Sequence, residues 1–259
     1  MSAVALKRRL AATLSLALAP IALPQGLLLK QKATRLAEAA GERQGQHDGS
    51  GEPLRLLAVG ESPLAGVGLA DPGETVACHL AAQISQTSGR PVQWRILARG
   101  GYTAEAVRQR LLPQLETWPA DLILIGLGVN DSLRLRSARR WQHDLGALIA
   151  DLHERTGPAP VLLAGVPDMY HFPLLPSALK LMLGSRSRLL DLAATELAAQ
   201  RAQTRYVSMQ LDARSSELFC QDGFHPNTQG HALWAAQLAP AALELLKLRS
   251  PEKPDANPD

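Results

Sequence analysis

Two rhythms of apolar and polar positions run along this chain. Short continuous apolar runs have the form of strands buried on both faces, while longer segments carry the three- and four-residue spacing of amphipathic helices. From Leu54 onward they alternate as strand 54–59, helix 74–88, strand 92–97, helix 104–116 behind Thr103, and strand 121–127. Helix 138–156 follows behind Ser137, whose hydroxyl suits an N-cap, then strand 161–166, which ends at Pro167. A helical region at 176–201 with a break near Gly184-Ser185, strand 205–209, and a last helix at 228–248 kinked by Pro240 complete the pattern. Five strands alternating with helices predict an α/β fold: a mostly parallel sheet with helices on both faces.

The ends read differently. Lys7, Arg8 and Arg9 precede twenty uncharged residues, 10–29. Basic residues before an apolar run have the form of a signal peptide or N-terminal membrane anchor, and residues 1–30 are assigned to it. Twenty residues just span a bilayer as a helix, although Pro20, Pro24 and Gly26 weaken the second half. Ala17-Leu18-Ala19 offers a cleavage site, followed at once by Pro20. Insertion would place the body outside the cytoplasm, anchored or secreted; a segment packed on the domain instead would leave the protein cytoplasmic. Residues 31–53 read as a polar linker with one short helix at 34–40, the body as 54–249, and residues 250–259, with three prolines, as a disordered tail.

Composition narrows the function classes. A chain of 259 residues with 46% apolar content has room for one large α/β domain or two small ones. Three Phe, three Tyr and four Trp make a poor stacking platform for nucleic acid, and the net charge of +3 is small. The basic run at 134–140 reads as a solvated helix entrance. Cys78 and Cys220 are too few for a disulfide framework or a zinc cluster; free thiols are expected, with no metal and no cofactor.

Chemistry gathers in loops that follow strands. Ser62 lies after the first strand, Gly101 after the second, Asn130 and Asp131 after the third, and Asp222 and His225 after the fifth. In a parallel sheet these loops emerge along one edge, where ligands bind. Ser62 is placed to attack a carbonyl carbon, His225 to take its proton, and Asp222 to hold the other imidazole nitrogen. The Ser62 N–H, the Gly101 N–H and the Asn130 side-chain amide are the candidate donors for a developing oxyanion. Asp131 reads as a brace for its own loop. His231, His79, His143, His153 and His171 have no such partners in sequence and read as surface or core residues. Residues 167–176 and the apolar positions beyond them would overhang the same edge as a wall or lid for an acyl chain.

These motifs resemble the SGNH hydrolase superfamily, the GDSL esterases and lipases, over about residues 54–247. Gly60-Glu61-Ser62-Pro63 matches the first block, Gly101 the glycine block, Gly128-Val129-Asn130-Asp131 the Gly-x-Asn-Asp block and Asp222-Gly223-Phe224-His225 the Asp-x-x-His block. Glu61 stands where the family has Asp, and Pro63-Leu64 departs from its usual continuation. The resemblance implies a flavodoxin-like three-layer α/β/α sandwich with about five strands, and a metal-free serine hydrolase acting on a lipid, acylated sugar or small ester. An acyl or acetyl transferase using the same triad is the alternative, and a noncatalytic binding module on the same fold is a third reading. A dinucleotide site is disfavoured because Gly66-Val67-Gly68 lacks the third glycine of that fingerprint.

Overall fold

The computed structural model describes residues 3–32, 34–172, 174–209 and 216–247. The expected tail at 250–259 lies outside them. Strands β1 (Gln44–His47), β2 (Leu54–Gly60), β3 (Val92–Ala98), β4 (Leu122–Gly126), β5 (Val161–Ala164) and β6 (Thr204–Val207) form a single sheet in the order β1-β3-β2-β4-β5-β6. All pairs are parallel except β1 with β3. The helices are α1 (Ala3–Lys32), α2 (Val76–Ser88), α3 (Ala104–Ala106), α4 (Val129–Leu133), α5 (Ala138–Thr156), α6 (Ser177–Ala199) and α7 (Thr228–Leu245).

The two-residue period of the strands divides the core. Leu57, Val59, Ile123, Ile125, Val161 and Leu163 pack against residues of α5 and α6. Leu56, Ala58, Leu122, Leu124 and Leu162 point to the opposite face and pack against α2 and α7. The result is a three-layer α/β/α sandwich. The chain first winds from β2 to β3, then crosses back to β4 and continues to β6. The crevice between β2 and β4 is therefore the switch point, where ligands of such sheets bind.

Five expectations need correction. The sheet has six strands rather than five, because β1 lies within the stretch read as a polar linker. That stretch also docks on the body: the Ala39 N–H donates to Gly66 O at 2.9 Å and the Gly68 N–H to Ala37 O at 2.9 Å. No helix forms at 34–40. Thr103 does cap a helix, accepting from the Ala106 N–H, but α3 passes into a π turn (Val107–Leu111) and a 3-10 turn (Leu112–Gln114). Pro113 accounts for the loss of a regular α-helix here, since it lacks the N–H that would bond the carbonyl four residues back.

Helix α6 runs unbroken through Gly184. Its glycine serves close packing, because a Cβ there would lie 2.7 Å from Tyr170 Cβ and 2.8 Å from Tyr170 N. The backbone of residues 169–171 can thus lie directly on α6.

Helix α1 contains Pro20 and Pro24. Its second half packs on the body: Leu18, Ala22 and Leu29 join Met169, Phe172, Leu175, Leu179, Met182, Leu183 and Phe219 in a third apolar cluster. The Leu179 N–H donates to Gln25 Oε1 at 3.1 Å. Among the described residues no helix is long and apolar enough to cross a membrane.

Candidate active site

Strand β2 ends at Gly60, opposite Gly126 of β4, so the loops that follow them leave the sheet side by side. Ser62 sits two residues beyond the end of β2 and is 8% exposed. A Cβ on Gly100 would lie 3.8 Å from Ser62 Cβ, which puts the loop after β3 beside the serine as well. Gly101 has φ +79°, a left-handed backbone that glycine adopts without strain.

His225 comes to the same place from the loop before α7. Its Nδ1 lies 2.6 Å from Asp222 Oδ2, and its backbone N–H donates to Asp222 Oδ1 at 3.0 Å. Burial opposes the charge on Asp222. Hydrogen bonds from the His225 ring and from the His225 and Phe224 amides outweigh it and hold the carboxyl below the ordinary Asp range. An ionised Asp222 accepts a hydrogen bond from Nδ1–H, the tautomer that leaves Nε2 with a free lone pair.

Ser62 and His225 line one cavity of about 300 Å³. Its walls include Pro63, Leu127, Val129, Phe172, Met209, Phe219, Phe224 and Trp234, with Asp168 and His171 also on its surface. Among the described residues the Ser62 hydroxyl has no hydrogen-bond partner, and neither do the N–H groups of Ser62 and Gly101. Catalytic hydrogen bonds are often loose until substrate is bound.

Asn130 is tethered by the residue that departs from the family's first block. Glu61, 3% exposed, accepts from the Val129 N–H at 2.8 Å and the Asn130 N–H at 2.9 Å, and its Oε2 also accepts from the Asn130 side-chain amide. That amide has two hydrogens, so one remains for a ligand. Burial pushes the Glu61 carboxyl up to about 8, against the pull of the Asn130 and Val129 donors.

Asp131 is a brace, but between two loops rather than within its own. It is fully buried, and its Oδ2 accepts from the Ala104 N–H at 3.1 Å, joining the loop after β4 to the helix behind Gly101. Burial raises its carboxyl to about 6.

Two contributors were not visible in the sequence. Glu38, from the supposed linker, accepts from the Gly100 N–H at 2.8 Å and from Arg43 at 2.6 Å. Burial works against its charge, yet the Gly100 donor, Arg43 and the nearby Arg99 hold it below the ordinary Glu value. His171, read as a surface or core residue, lines the cavity and lies 3.5 Å from Asp168. His231 is core as expected, with Nδ1 accepting from the Val76 N–H at 3.1 Å. Cys78 and Cys220 are both free.

A sequence model of the GDSL-like lipase/acylhydrolase family matches residues 58–233. Among solved structures, the psychrotrophic esterase EstA of Pseudoalteromonas sp. superposes with TM-score 0.57 at 21% identity, covering 74% of this chain and 98% of its own. TesA superposes with TM-score 0.57 at 23% identity, covering 74% and 99%. A salicylyl-acyltransferase from a tetracycline biosynthetic pathway superposes with TM-score 0.53 at 21% identity, covering 78% and 58%. No curated protein sequence matches this chain. The structural likenesses give the fold; the family match covers both the loop with Ser62 and the loop with His225, so this chain belongs to the GDSL-like lipase/acylhydrolase family of carboxylic ester hydrolases, the SGNH group.

Proposed function

We propose that the protein cleaves a carboxylic ester through a covalent acyl-Ser62 intermediate, with its acyl chain held in the cavity beside Ser62. The observation that carries this reading is that Ser62 and an Asp222-bonded His225 share one mostly apolar cavity. His225 Nε2 takes the Ser62 proton as Oγ attacks the carbonyl carbon, and Asp222 stabilises the imidazolium that forms. The N–H groups of Ser62 and Gly101 and the free hydrogen of the Asn130 amide meet the oxyanion. His225 then protonates the departing alcohol, and water attacks the acyl-enzyme with His225 again acting as base.

The cavity argues for an acyl group longer than acetyl. An apolar cavity of about 150 Å³ accepts benzene, so about 300 Å³ has room for roughly ten carbon atoms. Phe172, Phe219 and Phe224 would clamp the chain, and their ring centroids lie 5.1 to 6.2 Å apart in tilted and edge-on pairs. The test is a panel of p-nitrophenyl esters from acetyl to decanoyl, run beside fluorophosphonate labelling. Full-length protein should label at Ser62 and favour the medium chains, and Ser62→Ala should lose labelling and on the order of 10⁶-fold in kcat. Unlabelled but folded protein, or a Ser62→Ala variant as active as the parent, defeats the mechanism.

A further inference from the structure

Large apolar side chains exposed on this molecule are not scattered. Nine are exposed among the described residues, and eight of them lie on α1, α4, α6 or residues 169–175. Ile21, Leu23, Leu27 and Leu28 are on α1, where Leu27 reaches 65% exposure, and Leu181 follows on α6. These four elements meet in the third apolar cluster, so the exposed residues decorate one side of the fold. That side borders the active site: a Cβ on Gly223, in the Asp222–His225 loop, would lie 2.9 Å from Leu174, itself 49% exposed. The segment also stands outside the family match at 58–233.

Its charge is one-sided. The first 37 residues contain Lys7, Arg8, Arg9, Lys30, Lys32 and Arg35 and no Asp or Glu, and Lys180 adjoins Leu181. We infer that this apolar face, built partly from a segment whose sequence is rich in cations and free of acids, docks the protein flat on an anionic phospholipid bilayer, with α1 lying in the interface rather than crossing it. An exposed apolar surface on a cationic segment suits acyl chains beneath anionic headgroups, and both terms add to binding. A second copy of the chain would bring like charges together on the same face, which disfavours self-association. Docking of this kind sets the cavity mouth beside the lipid, so an ester could pass from the bilayer to Ser62 without a full excursion through water.

Vesicle co-sedimentation of the full-length chain tests the docking directly. Binding to phosphatidylglycerol/phosphatidylcholine vesicles, weaker on phosphatidylcholine alone and weakened by salt, is expected. The triple variant Ile21→Glu/Leu27→Glu/Leu28→Glu should bind roughly tenfold more weakly or worse, with Leu181→Glu giving a smaller loss from a second element. Both should keep the parent rate on a soluble short-chain ester, because none of these side chains lines the cavity. Absence of vesicle binding by the parent, or a triple variant that binds as well as the parent, overturns the inference. So does a dimer in lipid-free buffer that the triple variant converts to monomer. Sedimentation needs no turnover, so its outcome is separate from that of the Ser62 experiments.

Discussion

Glu61 shows how one added methylene changes a site. The longer side chain reaches from the end of β2 to the first turn of α4 and holds both amides of Asn130. Its folded-state pKa, about 8, lies above the ordinary value of 4.5, so the folded protein holds this proton more tightly than the unfolded chain. The resulting stabilisation is complete below about pH 4.5 and is lost as pH rises through about 8, on the order of a few kcal/mol in all. Thermal melts between pH 5 and 9 should show it: Glu61→Gln, which stays neutral, should melt with a flatter pH dependence than the parent. Parallel curves would mean that Glu61 is ionised throughout. Ser62, Asp222 and His225 stand out in the sequence as candidates because each sits in a short linear motif after a strand. Glu38 was not, because a lone Glu in a polar stretch carries no sign that it will bond the Gly100 amide. Glu61 was visible as a departure, but its partners lie 68 and 69 residues away.

Among the elements, buried strands and capped helices were the easiest to read. Helix α5 begins behind Ser137, whose hydroxyl accepts from the Arg140 N–H, and ends at Thr156 as its pattern predicts. Strand β1 escaped notice because an exposed edge strand of Gln, Gly, Gln and His has no apolar face to betray it. Gly184 was misread for the opposite reason: a glycine in a helical pattern signals a break unless a packing neighbour is known. The consequence is measurable. Gly184→Ala gains up to about 1 kcal/mol of helix propensity but drives a Cβ into the Tyr170 backbone, an overpacking that typically costs 1–3 kcal/mol. A lower melting temperature is expected for this variant, and a higher one would show that residues 169–171 yield readily.

For the whole molecule, the layer that carries α2 and α7 has its own pH limit. His231 is fully buried between them, and burial drops its pKa to about 3, with the charges of His79 and His225 adding to the effect. The unfolded chain therefore takes up a proton near pH 6.5 that the folded one refuses. Stability from this residue is complete above about 6.5 and declines as pH falls towards about 3. His231→Asn keeps an acceptor for the Val76 N–H but does not titrate, so its acid unfolding midpoint should move to lower pH, as followed by circular dichroism. An unchanged midpoint would assign the acid limit to other groups. Helix α1 bears on the molecule in another way. Ala22 shares a cluster with Phe172 and Phe219, two walls of the cavity. A protein trimmed of its first thirty residues for easier purification would lose that backing, and its chain-length preference would then describe the trimmed enzyme rather than the full-length one.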